Sequence, residues 1–430
     1  MAKIIDNRQG GTMNYKIEKW EREYLRDYAK KQLEIANLPI MQERIKRWYD
    51  HNENKKGKPM IVIELASFKD DVRIPLKTQS DFARNIESAI QNNIQIHELF
   101  DDDEVCPDSI SFGWDIKYRE FGVDIPVKKS KDALGREIGF EYQHPLNDLE
   151  QDFHILKPFT YTVDRSNSFA RLEAAKDIVG DILKVEMENG FQRWGNMITQ
   201  KVIQLIGMEK WMIAMIETPE IVHKLMDYLT SNLISYQQWL QDEGLLTMNN
   251  GNHYAGAGSR GFTHELKKPA DGHIRLKDLW VNVNSQESTG ISPEMYKEFV
   301  FPYIDRVAKE YGMVYYGCCE AVHPTWDTCL KDLSNLRKVS ISPWCDEQFM
   351  GERLRGTKII YSRKPSPHFL GVGYDFDDDE YKKYMLNTLN AAKGCNLEII
   401  YRDVYTLGGN PSKAKRAVRL LRELIDKYWE

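Results

Sequence analysis

Cysteine is scarce: the chain has six in 430 residues, at positions 106, 318, 319, 329, 345 and 395. That number and spacing build neither a secreted disulfide framework nor paired CxxC zinc modules, so the thiols are expected to be reduced. Long apolar runs are missing as well, and none approaches the roughly 18 residues of a membrane span. The opening MAKIIDNRQGGTMNYK lacks the apolar stretch and cleavage site of a secretory signal, so a cytoplasmic location is expected. There is no basic excess. With 59 Lys and Arg against 65 Asp and Glu, the net charge is -6, and no basic cluster is interleaved with aromatics. Nucleic acid and membrane surfaces are thereby set aside as partners. No GxSxG elbow marks a serine nucleophile.

What is present is the composition of a soluble globular protein, 42% hydrophobic and 29% charged. Residues 14–50, rich in Lys, Glu, Tyr and Leu with Pro39 as their one proline, read as two helices capping an end of the main body. NENKKGKP (52–59) carries turn chemistry in Gly57 and Pro59. The expected division is therefore a helical extension over 1–58 and a single domain over 59–430. In that domain eight short β-branched or aromatic runs alternate with longer helical stretches: MIVIEL (60–65), SISFGW (109–114), DILKVEM (181–187), DLWVNVN (278–284), MVYYGC (313–318), KVSIS (338–342), KIIYS (358–362) and LEIIYRDV (397–404). Runs of that length, separated by room for a helix, are the pattern of parallel βα units. Eight of them predict an α/β fold, a (β/α)8 TIM barrel with an N-terminal helical cap and long loop insertions. A doubly wound open sheet shares the pattern.

Helix starts are marked by a capping residue before proline, at Thr218-Pro219, Ser292-Pro293 and Asn410-Pro411. The second of these is expected to run, with Met295, Phe299, Tyr303 and Val307 on one face, to a stop at Gly312. Two stretches exceed a minimal barrel. Residues 116–165, with Pro126, Gly135, Gly139 and Pro145, look like a β-rich excursion, and residues 245–277 like a long loop over one barrel end. Within that loop GAGSRG (256–261) matches the dinucleotide pattern GxGxxG, but FTHELKKP follows where a helix is needed. DGHIRL (271–276) has Leu276 where a cobalamin-carrying domain needs glycine, so the chain itself is expected to hold no corrinoid. The run Asp375 to Glu380 reads as charge at a helix N-terminus.

In a barrel the carboxyl ends of the strands share one face and form the active site. The fourth strand delivers Gln286 and Glu287, the fifth Cys318, Cys319 and Glu320, the sixth Trp344, Cys345 and Asp346, the seventh Arg363 and Lys364, and the eighth Arg402 and Asp403. Thiols beside carboxylates are donors that zinc selects, making Glu287, Cys318, Cys319 and Glu320 the candidate metal set. Strand alternation puts Tyr316, Cys318 and Glu320 on one side and Cys319 on the other, unless the strand ends first. His323 reads as the start of the next helix.

The segment 278–430 resembles the uroporphyrinogen decarboxylase superfamily, which includes corrinoid-dependent methyltransferases. The resemblance rests on NSQESTGISPEMYKEFVFPYIDRVAKEYG leading into VYYGCCE, then KVSISPW, YSRKPSP and NLEIIYRDVYTLGGNP, with weaker similarity in GMEKWMIAMIETPEIVHKLMDYLT. It implies a (β/α)8 barrel. The arginine-rich segment of the decarboxylases is not matched by IELASFKDD, which disfavours tetrapyrrole decarboxylation. The methyltransferases place His-x-Cys at the fifth strand and another Cys at the eighth; here Tyr316 stands in the His position and Cys318 in the Cys position, with Asp403 or a neighbour in place of the last thiol. The implied activity is methyl transfer of O-demethylase type, from a small methylated compound, methoxylated aromatics among them, to a separate corrinoid protein, with zinc as Lewis acid. In this expectation Glu320 and Asp403 are catalytic, while Tyr316, Trp344, Arg363 and Tyr405 contact substrate. A second copy of the chain is a further candidate partner. A metal-independent decarboxylase or lyase using Arg363 and Arg402, or a non-catalytic small-molecule-binding barrel, is the alternative.

Overall fold

The structure, a computed structural model, describes residues 15–68, 71–131, 137–189 and 197–429. Residues 1–14 of the expected extension and Gly135 of the excursion lie outside that set. Two helices come first, α1 (Lys19–Ala36) and α2 (Pro39–Asn52), the latter opened by proline at its first turn. All eight expected strands follow: β1 (Met60–Ile63), β2 (Ser109–Phe112), β3 (Lys184–Met187), β4 (Trp280–Val283), β5 (Met313–Tyr316), β6 (Leu336–Ile341), β7 (Ile360–Arg363) and β8 (Leu397–Tyr401). Among the described residues no helix is long and apolar enough to cross a membrane.

The architecture is mixed α/β with a parallel sheet of six strands in the order β1-β8-β7-β6-β5-β4; β2 and β3 form a separate parallel pair. The expected closed cylinder is therefore not found among the described residues. Side chains explain the interruption at both margins. Beyond β1, the Asp103 and Asp102 carboxylates accept from the backbone of Ile61 and Ile63, each at 2.8 Å, and Asp103 N donates to Ile61 O at 2.8 Å. Beyond β4, the Asn249 carboxamide accepts from Trp280 N and donates to Trp280 O, both at 2.9 Å. These groups satisfy the edge donors and acceptors that a neighbouring strand would otherwise take.

One face of the six-stranded sheet packs on helices and carries the main apolar core, including Ile61, Ile63, Val283, Tyr316, Val339, Ile341, Tyr361, Ile399 and Tyr401. The other face carries a buried polar row, Asn282, Tyr315, Lys338, Ser340, Ser362 and Glu398, between smaller apolar groups that include Met60, Val62 and Ile400 on one side and Trp280 and Met313 on the other. What covers this inner face corrects the expectation for residues 245–277. They are not only a loop over one end, because the hairpin Tyr254–Gly256 with Ser259–Arg260 is pressed into the sheet. A Cβ on Gly256 would stand 2.5 Å from the Tyr315 ring, and one on Gly258 2.5 Å from Ile400. The glycines of GAGSRG thus allow backbone to approach the sheet, which accounts for a dinucleotide-like pattern with no dinucleotide context. Gly256→Ala is expected to destabilise the fold by about 1–3 kcal/mol through overpacking. A denaturant midpoint unchanged from wild type would count against this placement.

The end of α2 closes the amino ends of the strands. Trp48 Nε1 donates to Asp103 O at 2.9 Å, Asn52 Nδ2 to Arg260 O and Phe262 O, and His51 Nε2 meets Glu398 Oε2 at 3.1 Å. The excursion after β2 is β-rich as expected, with antiparallel pairs Asp115–Arg119 with Thr160–Asp164 and Val127–Lys131 with Glu137–Tyr142. One helix expectation fails. The stretch opened by Ser292-Pro293 divides into Pro293–Phe299 and Phe301–Glu310, because Pro302 has no amide to donate and crowds the preceding turn. Asp377 caps the helix Asp378–Ala391, which gives the acidic run the role expected of it.

Candidate functional site

The carboxyl ends of the strands bring the two vicinal thiols together. Strand β5 ends at Tyr316, and Gly317, at φ +98°, takes a left-handed conformation that side chains resist. The turn cancels strand alternation, so Cys318 Sγ and Cys319 Sγ face each other at 3.4 Å instead of pointing to opposite sides. Ser340 Oγ holds the turn by donating to Cys318 O at 2.8 Å. Both thiols are half-buried, whereas Cys106, Cys329, Cys345 and Cys395 are buried; all six are free.

From the thiols a line of polar groups crosses to β8 and β1. Cys319 Sγ donates to Asp403 Oδ2 at 3.1 Å, and Arg402 Nε lies 3.4 Å from the same oxygen and 3.5 Å from Glu64 Oε2. Tyr254 of the inserted hairpin donates to Glu64 Oε1 at 2.8 Å. Asp403 itself sits at φ +58°, a strained position for a residue with a side chain, with its amide on Ser67 Oγ. The Cys318 thiol is held below its ordinary pKa, first by the Cys319 hydrogen bond and then by the Arg402 charge, against burial. Cys319 is pushed up by that same hydrogen bond and by burial. The first proton to leave the pair is therefore that of Cys318, and Cys319 keeps its own.

Lys364 completes this end. Its ammonium lies 2.7 Å from Tyr315 OH and 2.7 Å from Ser362 Oγ, and burial pushes its pKa down to about 7 against the pull of Glu398. Two groups here have hydrogen-bonding capacity to spare. Among the described residues the Asn284 carboxamide, 1% exposed, has no partner for its nitrogen or its oxygen, and Arg402 Nε makes no hydrogen bond beyond its two longer ion pairs.

Several expected site residues are placed elsewhere. Tyr316 faces the helices, bonded to Ser285 Oγ and Tyr296 OH at 2.7 Å each, while Tyr315 is the inward residue. Arg363 also points outward and is spent on Ser342 O, Glu347 and Tyr384 OH, so it does not reach an anionic substituent at this end. The Glu320 carboxylate is occupied as a backbone staple, accepting from Cys318 N at 2.8 Å and Ser285 N at 3.1 Å; burial raises its pKa. Glu287 accepts from Thr199 Oγ1 at 2.7 Å. Among the described residues no three His, Cys, Asp or Glu side chains are grouped to hold a metal ion, so the expected set Glu287, Cys318, Cys319 and Glu320 does not fit zinc. Trp344 and Tyr405 are exposed rather than walls, at 74% and 81%. His323 begins a helical turn, as expected.

Glu64, Tyr254, Asn284 and the Lys364 contacts went unread in the sequence, yet a signal exists. Polar residues take every second position of KVSIS, and Ser362 and Glu398 hold the matching positions of the next two strands. That parity, carried past the strand ends, leads to Lys364 and Arg402 and away from Arg363.

No protein-family model matches the chain, and no curated protein matches it. Among solved structures it is similar to a methyltransferase from Methanosarcina mazei, at 12% identity over 90% of this chain and 99% of that one, with a TM-score of 0.48. It is also similar to a putative vitamin-B12 independent methionine synthase from Listeria monocytogenes, at 12% identity over 63% of this chain and 72% of that one, with a TM-score of 0.33.

Proposed function

We propose that the chain is a cytoplasmic methyltransferase of O-demethylase type, taking a methyl group from a small methylated compound and passing it to a separate corrinoid protein. The order of the six strands, with β2 and β3 as a detached pair, supports reading the fold as an opened (β/α)8 barrel. The observation that carries the functional reading is the pair of adjacent thiols joined to Asp403 and Arg402 where the parallel strands end. In this reading substrate meets the Asn284 carboxamide, which has no partner among the described residues, and the Arg402 guanidinium, ion-paired with Glu64 and Asp403. Asp403 accepts from the Cys319 thiol, and in this reading that pair supplies the proton a leaving oxygen needs. Glu64 and Asp403 together hold Arg402 in place. No step runs through zinc, because its expected ligands do not assemble.

The test is formation of methyl-cobalt, followed by absorbance, when the purified chain is mixed with reduced free cobalamin and candidate methyl ethers. Cys319→Ala and Asp403→Asn are each expected to slow the reaction by about 10²–10⁴-fold, the range for loss of a positioned proton-sharing group. Variants that react at the wild-type rate would remove the site from the mechanism. Arg402 favours one second reading, decarboxylation of a bound carboxylate, and release of carbon dioxide without methyl-cobalt would select it.

A further inference from the structure

We propose that Cys318 and Cys319 form a chelating vicinal dithiol for trivalent arsenic compounds, a ligand class that requires two thiols presented together. The inference stands on thiol geometry alone and does not depend on the methyl-transfer reading.

The spacing of the sulfurs suits one shared ligand atom. Two sulfurs bonded to one atom at about 2.3 Å, a usual thiolate–metal length, sit about 3.3 Å apart near a right angle. The observed thiol–thiol contact is 3.4 Å. Little movement is therefore needed for both sulfurs to reach a pyramidal centre holding two sulfurs and one further substituent, as trivalent arsenic does. The geometry is built into the backbone rather than left to side-chain rotation. Gly317 sets the turn, Ser340 holds the Cys318 carbonyl, and the Glu320 carboxylate takes the Cys318 amide. Access differs as well, since the other four cysteines are buried and each stands alone in sequence.

The reaction is a condensation without change of oxidation state. With an arsine oxide, R–As=O, two As–S bonds form, the bond to oxygen breaks, and both thiol protons leave with that oxygen as one molecule of water. No oxidant or reductant is needed.

Phenylarsine oxide is the probe, used with the full reduced chain. Intact-mass measurement is expected to show one phenylarsenic group per chain, stripped by 2,3-dimercaptopropanol but retained against 2-mercaptoethanol. Cys318→Ser and Cys319→Ser are each expected to weaken binding by about 100-fold or more, as two-point attachment becomes one-point. Cys329→Ser should bind as wild type does. The displacement experiment needs no variant, so it decides the matter even if a serine variant fails to fold. Absence of the adduct, its removal by the monothiol, or its persistence at full affinity in either vicinal variant would overturn the proposal.

Discussion

Glu398→Gln is expected to destabilise the fold by about 3–5 kcal/mol, the cost of leaving a buried opposite charge without its partner. The carboxylate is fully buried on the inner face of β8 and bonds to four groups: Lys338 Nζ at 3.1 Å, His51 Nε2 at 3.1 Å, Ser259 Oγ at 2.9 Å and Ser362 Oγ at 2.5 Å. Burial works to raise its pKa, but the Lys338 charge and the His51 and Lys364 contributions outweigh burial and hold it below the ordinary carboxylate range. Lys338 is moved down as well, because burial costs it more than its carboxylate returns. Glu398 is held ionised because several cationic or donor groups converge on it, while Lys338 has a single carboxylate. Glutamine keeps the shape and leaves Lys338 buried with no counter-charge. Urea unfolding at neutral pH measures the loss. Adding Lys338→Met should recover part of it, since an apolar residue replaces the orphaned charge; a double variant no more stable than Glu398→Gln would show that the pair is not the origin.

The same cluster fixes a pH dependence. Glu398, depressed in the folded state, contributes stability that is in place above its unfolded pKa and is lost as pH falls through the folded one. Lys364 gives a slope of the same sign at higher pH, because its folded pKa is lowered too. With its folded pKa near 7 and its ordinary value at 10.5, the unfolded chain binds the extra proton between those limits. Stability is therefore expected to rise with pH across that window, by at most about 1.4 kcal/mol per unit for one proton, and Lys364→Met should flatten the slope.

How far the sequence can be read here depends on which face a residue takes. Strand positions were legible because short β-branched runs buried on both sides stand out from the helices between them. Burial on both sides is also why facing was misread. Tyr316 and Arg363 lie in strands with no exposed face to set the parity, and a one-residue difference sends a side chain from the inner face to the helices. The closed barrel was inferred from a count of eight. Nothing in DDDEV or TMNNG announces that Asp102, Asp103 and Asn249 would occupy strand edges with side chains. Convergence of the thiols was left open by alternation and decided by Gly317, whose role depends on a backbone angle and not on spacing.

That dependence gives a large expected effect on activity from a residue with no side chain. Gly317→Ala places a Cβ 3.1 Å from Ser340 Cβ and asks a side-chain residue to hold φ +98°. The left-handed region costs such a residue about 1–2 kcal/mol, a stability loss the fold can absorb. The catalytic loss is expected to be out of proportion to it. If the backbone relaxes toward negative φ, strand alternation resumes and turns the two sulfurs to opposite sides, so the contact at 3.4 Å and the Cys319 bond to Asp403 cannot both survive. Displacement of reacting groups by about 1 Å is enough for roughly a 10²-fold fall in rate. Methyl-cobalt formation should therefore drop by at least about that factor, while the denaturant midpoint moves only modestly. Ser340→Ala is the contrasting variant. It removes one hydrogen bond to the Cys318 carbonyl, worth about 1 kcal/mol, without touching the φ angle, and should keep most of the rate. If Gly317→Ala lost stability but worked nearly as fast as wild type, the turn would not be what aligns the thiols, and the pairing of Cys318 with Cys319 would have no part in the reaction.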